Sequence, residues 1–137
     1  MTRHQFAPPL GALLVAVLVM IAIARAGVSA HHSFAPFDMQ AEKTISGTVK
    51  QFDWTNPHTW IWVNVPDGHG GVETWGIEGM SPNFLGRRGW TKSSLKAGDK
   101  VTMVIRPLRD GSKGGMFVRA TLADGKVLLP TGDPTEP

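Results

Sequence analysis

From Thr44 onward, apolar and polar residues alternate. Ile45, Gly47 and Val49 fall on one side and Ser46, Thr48 and Lys50 on the other. That period of two marks a half-buried strand, and Gly47 within it predicts a bend or a bulge. Thr55-Asn56-Pro57-His58 predicts a turn, because proline fixes φ and asparagine tolerates awkward backbone angles. Trp60–Val65 is a second strand, with Ile61, Val63 and Val65 on one face and Trp60, Trp62 and Asn64 on the other. Both faces are largely apolar, so either the strand is central or its tryptophans line an exposed cleft. Pro66–Gly71 predicts a hairpin loop, and Val72–Glu78 a third strand with Trp75 and Ile77 facing together.

Ser81-Pro82 is a helix start: a serine oxygen accepts from an unpaired backbone N–H, and proline at the first helical position loses no hydrogen bond. Gly86 and Gly89 keep this helix short. Ala97-Gly98-Asp99 turns into a fourth strand, Lys100–Arg106, with Val101, Met103 and Ile105 inward. Arg109–Gly115 is a charged, glycine-rich loop, Met116–Leu122 a fifth strand, and Asp124-Gly125 a hairpin turn into Val127–Leu129. This order predicts an all-β fold, a small five- to six-stranded OB-like barrel with one short helix between strands 3 and 4. A β-sandwich or another small barrel produces similar alternation.

The first thirty residues follow a different rule. Arg3 and His4 precede a 15-residue apolar run, Leu10–Ala24, and Val28-Ser29-Ala30 is a small-residue box. That is the layout of a secretory signal peptide. A retained anchor is the alternative, but the run is short of the ~20 residues that span a bilayer. The expectation is cleavage after Ala30, with Ala24-Arg25-Ala26 as a weaker second box. Residues 1–30 are then the signal peptide, 31–130 a single barrel-like domain and 131–137 a disordered tail. The product is periplasmic or secreted, with no stable membrane span after cleavage.

Composition sharpens this picture in two places. The 137-residue chain has no cysteine, which excludes disulfides, cysteine–zinc sites, thiol catalysis and a lipid anchor on an N-terminal cysteine. Its formal charge is +3, but loss of residues 1–30 removes Arg3 and Arg25 and no acid. The mature chain then has 12 Lys+Arg against 11 Asp+Glu, a net charge of +1. On that charge the expectation is no nucleic-acid partner.

Several stretches carry a resemblance: His31-His32-Ser33-Phe34, Trp54-Thr55-Asn56-Pro57-His58, Glu78-Gly79-Met80-Ser81-Pro82-Asn83, Arg88-Gly89-Trp90, Gly98-Asp99-Lys100-Val101 and Gly114-Gly115. In this order, over about residues 31–129, the chain resembles a family of small exported bacterial proteins classed as a domain of unknown function. The resemblance implies an exported, single-domain β protein, and carries over no activity and no catalytic residue.

The residues themselves suggest two kinds of site. Cleavage after Ala30 makes His31 the N-terminus, so its α-amine and imidazole Nδ1 chelate one metal ion as a pair. A third nitrogen then suits copper(II). His32 is adjacent but points the other way in an extended chain, so His58 in its turn is the better partner. The candidate metal ligands are His31 and His58, with His32 and Glu78 supplementary. The plainer reading is two solvated histidines near a terminus and a turn histidine bonded to backbone.

The second kind is aromatic. Trp60 and Trp62 on one strand face, with Trp54 and Asn56 across the turn, form a candidate ligand platform, since exposed indoles stack on flat rings. Trp75 and Trp90 read instead as core fillers. Catalysis is the weakest reading: Glu78 with His58 is the pair it would use, and Ser33 beside His32 lacks triad geometry. Arg109 and Lys113 read as a solvated loop. The expectation is an exported, non-catalytic binding protein for a transition metal such as copper, or else a small-ligand or protein-interaction module using the tryptophan face.

Overall fold

The computed structural model describes residues 34–131. The expected signal peptide, and all of the expected tail except Thr131, lie outside the described residues, as do His31 and His32. The elements are β1 (Lys43–Asp53), β2 (Trp60–Pro66), β3 (Val72–Glu78), α1 (Pro82–Gly86), β4 (Lys100–Pro107), β5 (Gly114–Leu122) and β6 (Val127–Leu128). Strand order across the sheet is β3-β2-β1-β4-β5-β6, and a further parallel pairing of β3 with β5 closes the first five strands into a barrel. With one short helix between β3 and β4, this is the expected OB-like barrel.

β1 makes the closure work by serving two neighbours. Its first half, Lys43–Thr48, pairs with β4, and its second half, Thr48–Asp53, pairs with β2. An 11-residue strand must bend to do this. The irregularity falls between Val49 and Gln51, which corrects the expectation that Gly47 marks a bulge. Gly47 instead lies at a close approach of β1 to β2: a Cβ there would collide with the carbonyl oxygen of Asn64. The bulge has a larger consequence. Before it, Ile45 and Val49 point inward; after it, Phe52 and Trp54 pack against the core.

The parallel seam also depends on glycine. Gly76 of β3 is the register partner of Gly114 of β5, and a Cβ on Gly114 would sit 2.9 Å from the Gly76 carbonyl oxygen. β5 therefore starts two residues before the expected Met116, because Gly114 and Gly115 are the residues that pair with β3.

Inside the barrel, Ile61, Val63, Ile77, Met103 and Ile105 are almost fully buried, with Trp75 and Trp90 among them as core fillers. Trp90 packs edge-on against Phe117, centroids 5.5 Å apart, and its Nε1 donates to the Leu129 carbonyl at 2.8 Å. α1 begins as its sequence dictates, with the Ser81 Oγ accepting from the Phe84 N–H at 3.2 Å and Pro82 opening the helix. Its one turn buries Leu85.

Candidate functional site

β2 is paired on both sides, with β1 and β3, so it is central. Its two apolar faces have separate fates. Ile61 and Val63 fill the barrel, whereas Trp60 and Trp62 stand half-buried on the outer face. The two indoles lie nearly parallel, 17° apart with centroids separated by 5.7 Å. Trp62 leans across its register partner Gly76: a Cβ there would come within 2.8 Å of the Trp62 ring. Its Nε1 donates to Asp53 Oδ2 at 2.8 Å, from the end of the neighbouring strand.

At the Trp60 end, a row of outward residues crosses the seam. Asp53 is the register partner of Trp60, Trp60 of Glu78, and Glu78 of Met116. Glu78 Oε1 pairs with His58 Nδ1, and both side chains are about one-quarter exposed (22% and 26%).

A backbone lock holds His58 there. Thr59 is fully buried; its N–H and its Oγ1 both donate to the Met80 carbonyl, at 3.1 and 3.0 Å. The Gly79 N–H donates back to the Thr59 carbonyl at 2.8 Å. A Cβ on Gly79 would collide with the Thr59 hydroxyl, so glycine is what lets β3 end against the turn. The turn itself contains a cis Asn56–Pro57 bond, with Asn56 exposed.

Of the expected metal ligands, His58 and Glu78 are therefore in contact, and His31 and His32 fall outside the described residues. Among the described residues no group of three or more His, Asp or Glu side chains is placed to hold a metal ion. Of the expected ligand platform, Trp60 and Trp62 come together and Trp54 does not join them. The bulge turns Trp54 inward, where it meets Phe52 edge-on at 5.7 Å.

Three residues that shape the site escape sequence reasoning: Asp53 as the partner of an indole, Gly76 as its seat, and Thr59 as the lock. Gly76 had a readable signal, a glycine opposite a tryptophan in a hairpin; the other two depend on register. Lys113 is an exposed loop residue, as expected, but it has partners. Its Nζ lies 3.0 Å from Glu73 and, with that of Lys43, over the ring of Trp75. In the same loop, the Asp110 carboxyl is held below its ordinary value by hydrogen bonds from the Ser112 hydroxyl and backbone N–H, an exposed turn lock. An open groove of about 570 Å³, lined by Ser46, Thr48, Lys100 and Thr102 among others, meets the far end of the tryptophan face at Asn64, Pro66 and Val72 and does not include the indoles.

The class is thus a small OB-like β-barrel carrying a paired-indole face flanked by carboxylates and a histidine. The chain belongs to the family of unknown function DUF6152, which it matches over residues 17–118. No curated protein matches it. Among solved structures it is similar to the mitochondrial single-stranded DNA binding protein Rim1 from S. cerevisiae, at 15% identity and a TM-score of 0.43, covering 61% of this chain and 94% of that one. This corrects the expectation of no nucleic-acid partner. That exclusion rests on net charge alone, and a similar structure is named for binding single-stranded DNA, so the exclusion does not stand.

Proposed function

We propose that this protein is a non-catalytic binding module whose ligand presents a flat ring to Trp60 and Trp62. The observation that carries the reading is the indole pair itself: two half-buried, nearly parallel, stacked rings on an outer sheet face, with Trp62 seated over a glycine and fixed by Asp53. Tryptophans that only fill space belong inside, as Trp75 and Trp90 do. Indoles on an outer face stack on sugars, aromatics or bases, each contact adding about 1–3 kcal/mol in the nucleic-acid case. The outer face of strands 2 and 3 is also where OB barrels hold extended ligands. Indole N–H chemical shifts, followed while ring-bearing ligands are added, test this. Shifts at Trp60 and Trp62, lost in Trp60→Ala, support it; a panel of sugars, aromatics and an oligonucleotide that moves neither signal overturns it.

A second reading rests on the His58–Glu78 contact. Metal-bound imidazoles commonly donate their other N–H to a carboxylate, which orients the ring. On this reading His58 is one ligand, Glu78 orients it without touching the metal, and His31 supplies the amine and imidazole that favour copper(II). The reading requires export and cleavage after Ala30, supported by the apolar run and the small-residue box. Intact mass of protein from a periplasmic extract, denatured and native, tests both steps. A chain starting at His31 that carries one copper supports it; the same chain refusing added copper ends it.

A further inference from the structure

We infer that the ring held by Trp60 and Trp62 is that of a neutral saccharide, a deepening that rests on the ring-binding reading above. Two features of the face separate a sugar from other flat ligands. One is the angle between the indoles. At 17° and a centroid separation of 5.7 Å the rings are stacked on one another, so the pair presents the flat outer face of a stack and not the steeply inclined walls that surround a compact cation. A pyranose offers that outer face a flat face of C–H groups.

The other is the chemistry of the rim. Along β2 and β3 the outward face runs from Trp60 and Glu78 at one end to Pro66 and Val72 at the other, and neither strand contains lysine or arginine. Asp53 joins them from β1 through its bond to Trp62. Around the rings stand three hydrogen-bond acceptors, Asp53, Glu78 and the Asn64 amide oxygen, with the Gln51 side-chain amide beside them donating to Asp53 Oδ1. Each is oriented by a neighbour: Asp53 by the Trp62 N–H, Glu78 by His58, and Asn64 Oδ1 by the Thr74 hydroxyl at 3.0 Å. Carboxylate and amide oxygens accept more than one hydrogen bond, so these contacts leave acceptor capacity for ligand donors. Hydroxyls radiating from the edge of a stacked sugar are such donors. A flat apolar aromatic would use the platform and leave the rim idle.

Because β2 and β3 run side by side, the face is elongated along the strands, which suits two or more linked rings better than one. The test uses the full protein, titrated calorimetrically and by indole N–H shifts with four probes: a β-1,4-linked glucose hexamer, an N-acetylglucosamine tetramer, indole and a thymidine decanucleotide. The expected result is that one oligosaccharide binds, shifts the Trp60 and Trp62 signals, and binds about tenfold more weakly to Trp62→Ala, a loss of about 1.4 kcal/mol. Glu78→Gln keeps the shape and removes the charge; it should weaken sugar binding severalfold with an unchanged melting temperature, which guards against a Trp62→Ala variant that fails to fold. If indole or the decanucleotide moves these signals and neither sugar does, the saccharide assignment is overturned and the ring-binding reading survives. If no probe moves them, both fall.

Discussion

Trp62 and Trp75 sit on adjacent strands, one register step apart, and they solve opposite problems. Trp62 faces Gly76 across the β2–β3 pair, and Trp75 faces Val63. Trp75 points into the barrel and is 5% exposed, yet its Nε1 is buried with no hydrogen-bond partner among the described residues. Trp62 points out, is only half-buried, and has its Nε1 bonded to a carboxylate and its ring seated over a glycine. Burial of a large ring contributes enough to tolerate one unsatisfied N–H, which costs about 1–3 kcal/mol. A ring beside water gains less from burial, so fixing its orientation needs a polar anchor. The interior indole is held by packing, and the outer one by direction.

The sharpest way to break that contrast is to delete each ring. Trp75→Ala should cost about 3–5 kcal/mol in urea unfolding, as expected for an aromatic lost from a packed core. Trp62→Ala should cost about 1–2 kcal/mol, in proportion to a half-buried side chain. Equal losses would mean that the outer indole is structural after all.

The two seam glycines give a second test. In Gly114→Ala the new Cβ meets backbone, the Gly76 carbonyl, which cannot move without opening the parallel pairing; a loss of about 1–3 kcal/mol is expected. In Gly76→Ala the new Cβ meets the edge of the Trp62 ring, which can swing away. That variant should lose under about 1 kcal/mol but show a displaced Trp62 indole signal and weakened ligand binding. If both variants lose equal stability, or Trp62 stays in place, Gly76 is no seat.

Thr59→Val tests the lock. The isosteric methyl removes the Oγ1 bond to the Met80 carbonyl, which keeps its bond from the Thr59 N–H. The expected loss is about 1 kcal/mol in thermal unfolding, with His58 ring signals shifted because the turn is no longer pinned against β3. Unshifted signals would show that the backbone bonds alone place His58.

The difference between interior and surface also explains what was legible in the sequence. Alternation exposes which residues face inward, so Ile61, Val63, Trp75 and Ile77 were readable from spacing alone, and Ser81-Pro82 announced its helix through local chemistry. Contacts between strands depend on register, which no single strand encodes. Asp53 reaches Trp62, and His58 reaches Glu78, only because β1, β2 and β3 pair in one alignment. Trp54 failed for a related reason: a single-residue irregularity between Val49 and Gln51 reverses the inside and outside of everything after it. The period-two pattern of Ile45, Gly47 and Val49 gives no warning of that reversal, and Gly47, the residue that looks like its cause, serves a close approach to Asn64.

The smallest expected effect bears most directly on the anchor. Asp53→Asn retains an oxygen that can accept from the Trp62 N–H at much the same place, but removes its charge. Hydrogen bonds to charged groups contribute more than neutral ones, by about 1 kcal/mol, and the partial exposure of this pair reduces that difference through solvent screening. Global stability should therefore change by less than about 1 kcal/mol. The informative readout is hydrogen exchange at the Trp62 indole, where a weaker bond opens more often. Faster exchange at Trp62, with Trp90 unchanged on its backbone carbonyl, would place the effect at the outer anchor. Equal change at both indoles would mean that the substitution loosens the whole barrel, and the distinction between a packed ring and a directed one would lose its support.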